Sequence, residues 1–136
     1  MTAVIAQKIT SLQRCVARAR ETLEIAGVEF RTSHTFQDAA VLNVIRACDT
    51  AIDLANMLIR RRRLGIPSES RDSFGILVRE AVIAPELGEC LKKMVGFRNV
   101  AVHQYRDLDL GIVETVIRED LDDLLGFAEI VRGHLG

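Results

Sequence analysis

Apolar residues recur at intervals of three and four through most of the chain, the period of helices with one buried face. From Ala3 to about Ile25 the series Val4/Ile5, Ile9, Leu12, Val16, Ala19 and Leu23 predicts a first helix with a charged outer side. Gly27 and then Arg31-Thr32-Ser33-His34 mark a loop, with Ser33 or Thr35 able to cap the next helix. This second helix should run from about Phe36 to Arg62. Its apolar positions Ala40, Val41, Val44, Ile45, Cys48, Ile52, Ala55, Leu58 and Ile59 span so wide an arc that burial on two sides is expected.

Leu64-Gly65-Ile66-Pro67-Ser68 reads as a stop and turn, with Gly at the helix end and Pro after it. A short helix over Arg71 to Val82 comes next, capped by Ser68 or Ser70, with Phe74, Leu77, Val78 and Val82 facing inward. Ala84-Pro85-Glu86 opens a fourth helix, whose core stripe is Leu87, Leu91, Met94, Val95 and Val102, while Lys92 and Lys93 face water. Asp109 caps a last helix from Leu110 to about Leu135, which should bury Ile112, Val116, Leu121, Leu124, Leu125, Phe127, Ile130 and Val131. Glu114, Glu119, Asp120, Asp122 and Asp123 make its outer face acidic. The pattern predicts an all-α, up-and-down bundle of four to five helices in one domain.

Composition agrees with that fold class. The 136 residues are 49% hydrophobic but only 4% aromatic, with no Trp and two Pro, which suits a bundle packed from Leu, Ile, Val and Ala. A net charge of -1 excludes a globally basic surface, so any nucleic-acid contact must be local. Cys15, Cys48 and Cys90 are widely spaced within apolar patterns and suggest neither a disulfide framework nor a zinc motif. A reducing, cytoplasmic setting without membrane association is expected. The histidines are too scattered for a metal site, no Gly-rich phosphate loop is present, and no cofactor is expected.

The chemistry concentrates in Gly96-Phe97-Arg98-Asn99-Val100-Ala101-Val102-His103-Gln104-Tyr105, where polar side chains interrupt an apolar helix. Buried without partners, such groups cost roughly 1 to 3 kcal/mol each, so they either pair with one another or face a cleft. On a regular helix Arg98 and Tyr105 share a face, and Asn99, His103 and Arg106 form a second stripe. Arg98 and His103 stand about 140° apart. If they act together, the helix must end or distort near His103, or a second copy of the chain must complete the site. Imidazole moves protons near neutrality and guanidinium grips phosphate oxygens, a combination suited to a phosphodiester whose own 2'-hydroxyl attacks. The alternative is a set of capped, hydrogen-bonded helix-end residues.

Arg98, four residues, then His103-Gln104-Tyr105, preceded by Gly96-Phe97 and with Asn99 after the Arg, resembles the RX4HXY signature of HepT toxins in the HEPN superfamily. The resemblance extends over nearly the whole chain, through Arg46 and Asp49 on the second helix, the Arg-rich helix end, the Gly65-Ile66-Pro67 turn and Ser70 to Leu77. It implies one HEPN domain over residues 1–136, a homodimer with two motifs in one cleft, and a metal-independent endoribonuclease toxin acting on RNA. It further implies a small MNT-type nucleotidyltransferase antitoxin that adds AMP to Tyr105. His103 would then move protons, Arg98 would stabilise the phosphoryl charge, and Asn99 would hold the phosphate or the His. A noncatalytic nucleotide- or RNA-binding subunit, or a purely structural dimer, are the competing readings.

Two further features bear on these roles. Asn43, Arg46, Asp49, Asp53, Asn56 and Arg60 form a polar stripe along the second helix, which is either a solvated face or brings Arg46, Asp49 or Asp53 against the motif helix to orient His103. Arg60-Arg61-Arg62-Arg63 sits where a helix dipole favours cations, and equally forms the one strong basic patch for RNA or a partner. His34 is expected as a plain surface residue and His134 as a helix-end neighbour of the dipole.

Overall fold

In a computed structural model that describes residues 2–134, the chain is all helical. Helix α1 (Thr2–Ala26) leads through a 3-10 turn (Gly27–Arg31) into α2 (His34–Arg62), then α3 (Ser70–Arg79) and α4 (Pro85–His103). A second 3-10 turn (Tyr105–Asp107) precedes α5 (Leu110–Thr115), a π-helical turn (Val116–Asp120) and α6 (Leu121–Gly133). The last three run on from one another, so the described residues form a bundle of five helical segments of useful length. The expected end at Leu135 lies outside the described residues. No helix among them is long and apolar enough to cross a membrane.

Helix α2 is the axis, packing against α1, α3, α4 and α6. Its breadth of apolar positions explains this, since Val44, Ala47, Leu54, Ala55 and Ile59 on different sides are all fully buried. The Phe74 and Phe127 rings meet edge to face at 5.4 Å, joining α3 to α6 across it. The start of α2 is set by Ser33, whose hydroxyl accepts from the Phe36 amide at 3.4 Å, two residues earlier than the hydrophobic pattern indicates. Asp109 caps α5 as expected, accepting from the Gly111 and Ile112 amides at 2.9 and 3.2 Å.

Four expectations fail for local reasons. Helix α2 is ended by Arg63, in the left-handed region at φ 53°, ahead of Gly65, and the Leu64 amide closes the turn on the Ile59 carbonyl at 3.0 Å. Neither Ser68 nor Ser70 caps α3; instead Asp72 reaches back to accept from the Ser68 amide at 2.9 Å. Val102 is 43% exposed because Ala101 takes the inward position at that level of α4. Ile112 is 55% exposed because Val113, with Val116 and Ile117 after it, fills the core. The π turn inserts an extra residue there, and Arg20 of α1 donates to its Ile117 carbonyl at 3.0 Å.

The polar stripe of α2 also divides. Asn43 is buried and donates to the Ala39 carbonyl at 2.9 Å, Asp53 accepts from Lys8 of α1 at 3.2 Å, and Asn56 accepts from Ser73 of α3 at 2.6 Å. Helix α3 approaches α4 closely at Gly88, where an added Cβ would lie 2.3 Å from Val78 Cγ2. A β-branched neighbour cannot swing aside. Gly88→Ala is therefore expected to destabilise the fold by about 1 to 3 kcal/mol, read from urea denaturation.

Candidate active site

Helix α4 stops at His103, and Gln104 leaves the helix at φ -131°, ψ 40°. The regular-helix phase therefore holds for Arg98 but not for Tyr105, which starts a separate 3-10 turn. Tyr105 consequently turns away from Arg98 and donates its hydroxyl hydrogen to Asp38 in the second turn of α2. This corrects the expectation of a shared Arg98 and Tyr105 face. His103 is exposed at the open end of α4, and its ring makes no hydrogen bond among the described residues. A purely structural motif, closed off and internally bonded, does not fit this side chain.

Arg98 is held at two of its three nitrogens. Its Nε donates to Asp49 Oδ1 of α2 at 2.7 Å and its Nη1 to Asn99 Oδ1 at 3.3 Å. Its Nη2 donates to nothing among the described residues, and the side chain remains 29% exposed. A guanidinium fixed this way offers its remaining Nη2 to an oxyanion. Of the two readings of the α2 stripe, Asp49 follows the one that meets the motif helix, but through Arg98 and not through His103. Asp53 is engaged with α1, and Arg46 is exposed with no partner among the described residues.

Asn99 is exposed beside Arg98 and orients it. The four arginines end α2 in solvent, where Arg61 donates to Thr2 at 3.5 Å. Along the α2 axis this cluster stands roughly 35 Å from the Asp38 level, at about 1.5 Å per residue. It is therefore not beside the motif of its own chain. Gly96 lies under Arg71, whose Nη2 would be 2.8 Å from an added Cβ, so a cation from α3 leans over α4 near the site.

The structure adds residues that the sequence did not single out. A cavity of about 560 Å³ opens beside Tyr105, walled by His34, Gln37 and Asp38 from α2 and by Arg106 from the 3-10 turn. Asp38 gave no signal, being 67 residues from Tyr105 and off the polar stripe. Burial, and then the hydrogen bond and charge of Asp38, push the Tyr105 phenol up to about 12. Cys48, below the Asp49 carboxylate, is buried, and desolvation raises its thiol to about 12, so it is inert as a nucleophile near neutrality. Among the described residues no group of three or more His, Cys, Asp or Glu is placed to hold a metal ion.

Known proteins resemble this chain in sequence and fold. The family described as ribonuclease HepT-like matches residues 12–131. Over 132 residues the chain is 40% identical to the mRNA nuclease HepT of Shewanella oneidensis, covering 97% of this chain and 98% of that protein. A tri-AMPylated Shewanella oneidensis HEPN toxin, solved in complex with an MNT antitoxin, superposes with a TM-score of 0.91 at 39% identity, covering 98% of this chain and 99% of that one. A toxin-antitoxin crystal structure with AMP-PNP matches with a TM-score of 0.91 at 38% identity, covering 96% of this chain and 98% of that one.

Proposed function

The chain belongs to the HepT-like ribonuclease family, and on that premise we propose that it is a metal-independent endoribonuclease toxin, active as a homodimer and silenced by a nucleotidyltransferase antitoxin of the MNT type. The observation that carries the reading is the pairing of an open His103 with an Arg98 anchored at Nε and Nη1 and left with its Nη2 to donate. RNA supplies its own nucleophile. As the 2'-oxygen bonds to phosphorus and the bond to the 5'-oxygen breaks, His103 takes the 2'-hydroxyl proton and a protonated imidazole gives one to the leaving oxygen. Two copies of His103 in a dimer cleft would separate these two duties. Arg98 faces the charge that builds on the phosphoryl oxygens, with Asp49 and Asn99 holding its fork in place.

Purified protein should cut total cellular RNA in EDTA and leave 2',3'-cyclic phosphate ends. Failure to cut any RNA, with the dimer intact, would favour a noncatalytic binding subunit. The role given to Asp49 has its own consequence. Asp49→Asn is expected to lower turnover about tenfold to a hundredfold by loosening Arg98. Stability should change by less than about 1 kcal/mol, because the pair is partly exposed. Unchanged turnover in the same preparation would reduce the pair to a staple between α2 and α4.

Neutralisation is assigned to Tyr105 through AMP addition, a modification carried by the tri-AMPylated Shewanella oneidensis HEPN toxin. Each added AMP would place phosphate charge just past the end of α4, two residues from His103. The basic end of α2, Arg60 to Arg63, is proposed as a second RNA contact, reached by a substrate long enough to span the helix or presented by the other protomer.

A further inference from the structure

Tyr105 as AMP acceptor poses a chemical difficulty. With the phenol held near 12, roughly one molecule in 10⁵ carries a phenolate at neutral pH. A neutral phenol is a poor nucleophile toward phosphorus unless a base takes its proton during attack. The structure supplies a carboxylate at that oxygen. Asp38 Oδ1 accepts the Tyr105 hydroxyl hydrogen, and the Asp38 carboxylate forms no ion pair among the described residues. The phenol stands at the wall of an open cavity of about 560 Å³, so a phosphoryl group can approach the oxygen from the side that Asp38 leaves free.

We propose that Asp38 is the general base of AMP addition to Tyr105, supplied by the acceptor chain itself and not by the nucleotidyltransferase. The inference rests on the reading of Tyr105 as the acceptor. The Tyr105 oxygen forms a bond to the α-phosphorus of ATP held by the partner enzyme. The bond from that phosphorus to the bridging oxygen breaks, and pyrophosphate leaves with the electron pair. The phenolic proton passes to Asp38, which returns it to solvent. Arg106 and His34, in the walls of the same cavity, face the phosphate charge that arrives. Once the first AMP is attached, the phenol proton is gone, so Asp38 has this duty only in the first addition.

A hydrogen bond that merely positions the ring makes a different prediction from a base. Asparagine at this position still accepts the hydrogen bond but cannot take the proton. It also removes the negative charge that adds to burial in holding the phenol up, so a route through pre-formed phenolate would run faster. Initial rates of AMP addition should therefore be measured by intact mass, at saturating partner enzyme and Mg-ATP, for full-length wild type, Asp38→Asn, Asp38→Glu and Tyr105→Phe, from about pH 6 to about pH 10. The expected result is a first addition slowed about 10²- to 10⁴-fold in Asp38→Asn at neutral pH, recovering as pH rises, with partial rescue in Asp38→Glu. A first-addition rate in Asp38→Asn equal to or above wild type would overturn the role of Asp38. No adduct on wild type, or an adduct persisting on Tyr105→Phe, would instead overturn the acceptor assignment and the inference with it.

Discussion

Replacing His103 by alanine is expected to lower RNA cleavage by about 10²- to 10⁴-fold while leaving the fold intact, since positioned proton transfer contributes on that scale. The separation of effects comes from position. His103 is the last residue of α4, exposed, and bonded to no side chain among the described residues, so its removal empties no core site and strands no buried partner. Thermal unfolding should move by no more than the small amounts seen for exposed helix-end changes. Arg98 would still hold the phosphate, so RNA binding should persist. A variant that loses binding together with cleavage would place His103 in substrate recognition, and one that cuts at the wild-type rate would move the chemistry elsewhere.

Replacing Tyr105 by phenylalanine is expected to abolish covalent AMP addition and with it neutralisation by the nucleotidyltransferase. The change deletes only the hydroxyl. The ring is 38% exposed and can stay against the wall of its cavity, while Asp38 loses a donor but remains open to water. No other tyrosine exists in the chain to take its place. Intact mass after incubation with the partner and Mg-ATP should show no added AMP, and cleavage should continue in the presence of the partner. Full neutralisation of Tyr105→Phe without an adduct would mean that the partner inhibits by occupying the cleft.

The fold was legible where side chains report local chemistry. The three-and-four spacing gave α1, α2 and α4, and the accepting caps Ser33 and Asp109, with Pro85 in the first turn of α4, marked helix starts through contacts or geometry that depend on nearby residues alone. Reading failed where a regular helix was assumed past its end and where adjacent apolar residues competed for one inward position. Val113 took the inward position that the pattern gave to Ile112, and Arg63 adopted a left-handed cap that glycine more commonly fills. The same assumption put Tyr105 over Arg98, although the break at Gln104 separates them.

Within the site, Arg98, Asn99 and His103 stood out because each is costly on an apolar helix. Asp49 could be nominated from its stripe, yet its partner could not, because choosing between Arg98 and His103 requires the packing of α2 on α4. Asp38 was invisible. One carboxylate in the first turns of a helix is common, as is expected of residues that favour the positive end of the dipole. Its meaning comes only from a tyrosine 67 residues away.

The central claim is that the RNA's own 2'-hydroxyl is the nucleophile and that no metal is required. The most direct measurement takes an RNA oligonucleotide containing one mapped cleavage site and a copy with a single 2'-deoxy sugar at the nucleotide 5' to the scissile bond, both incubated with the purified chain in EDTA. The expected result is cleavage of the all-RNA strand to a 2',3'-cyclic phosphate end and no cleavage at the substituted position. Equal cutting of the two strands would contradict the account, because the nucleophile would then have to be something other than the sugar hydroxyl.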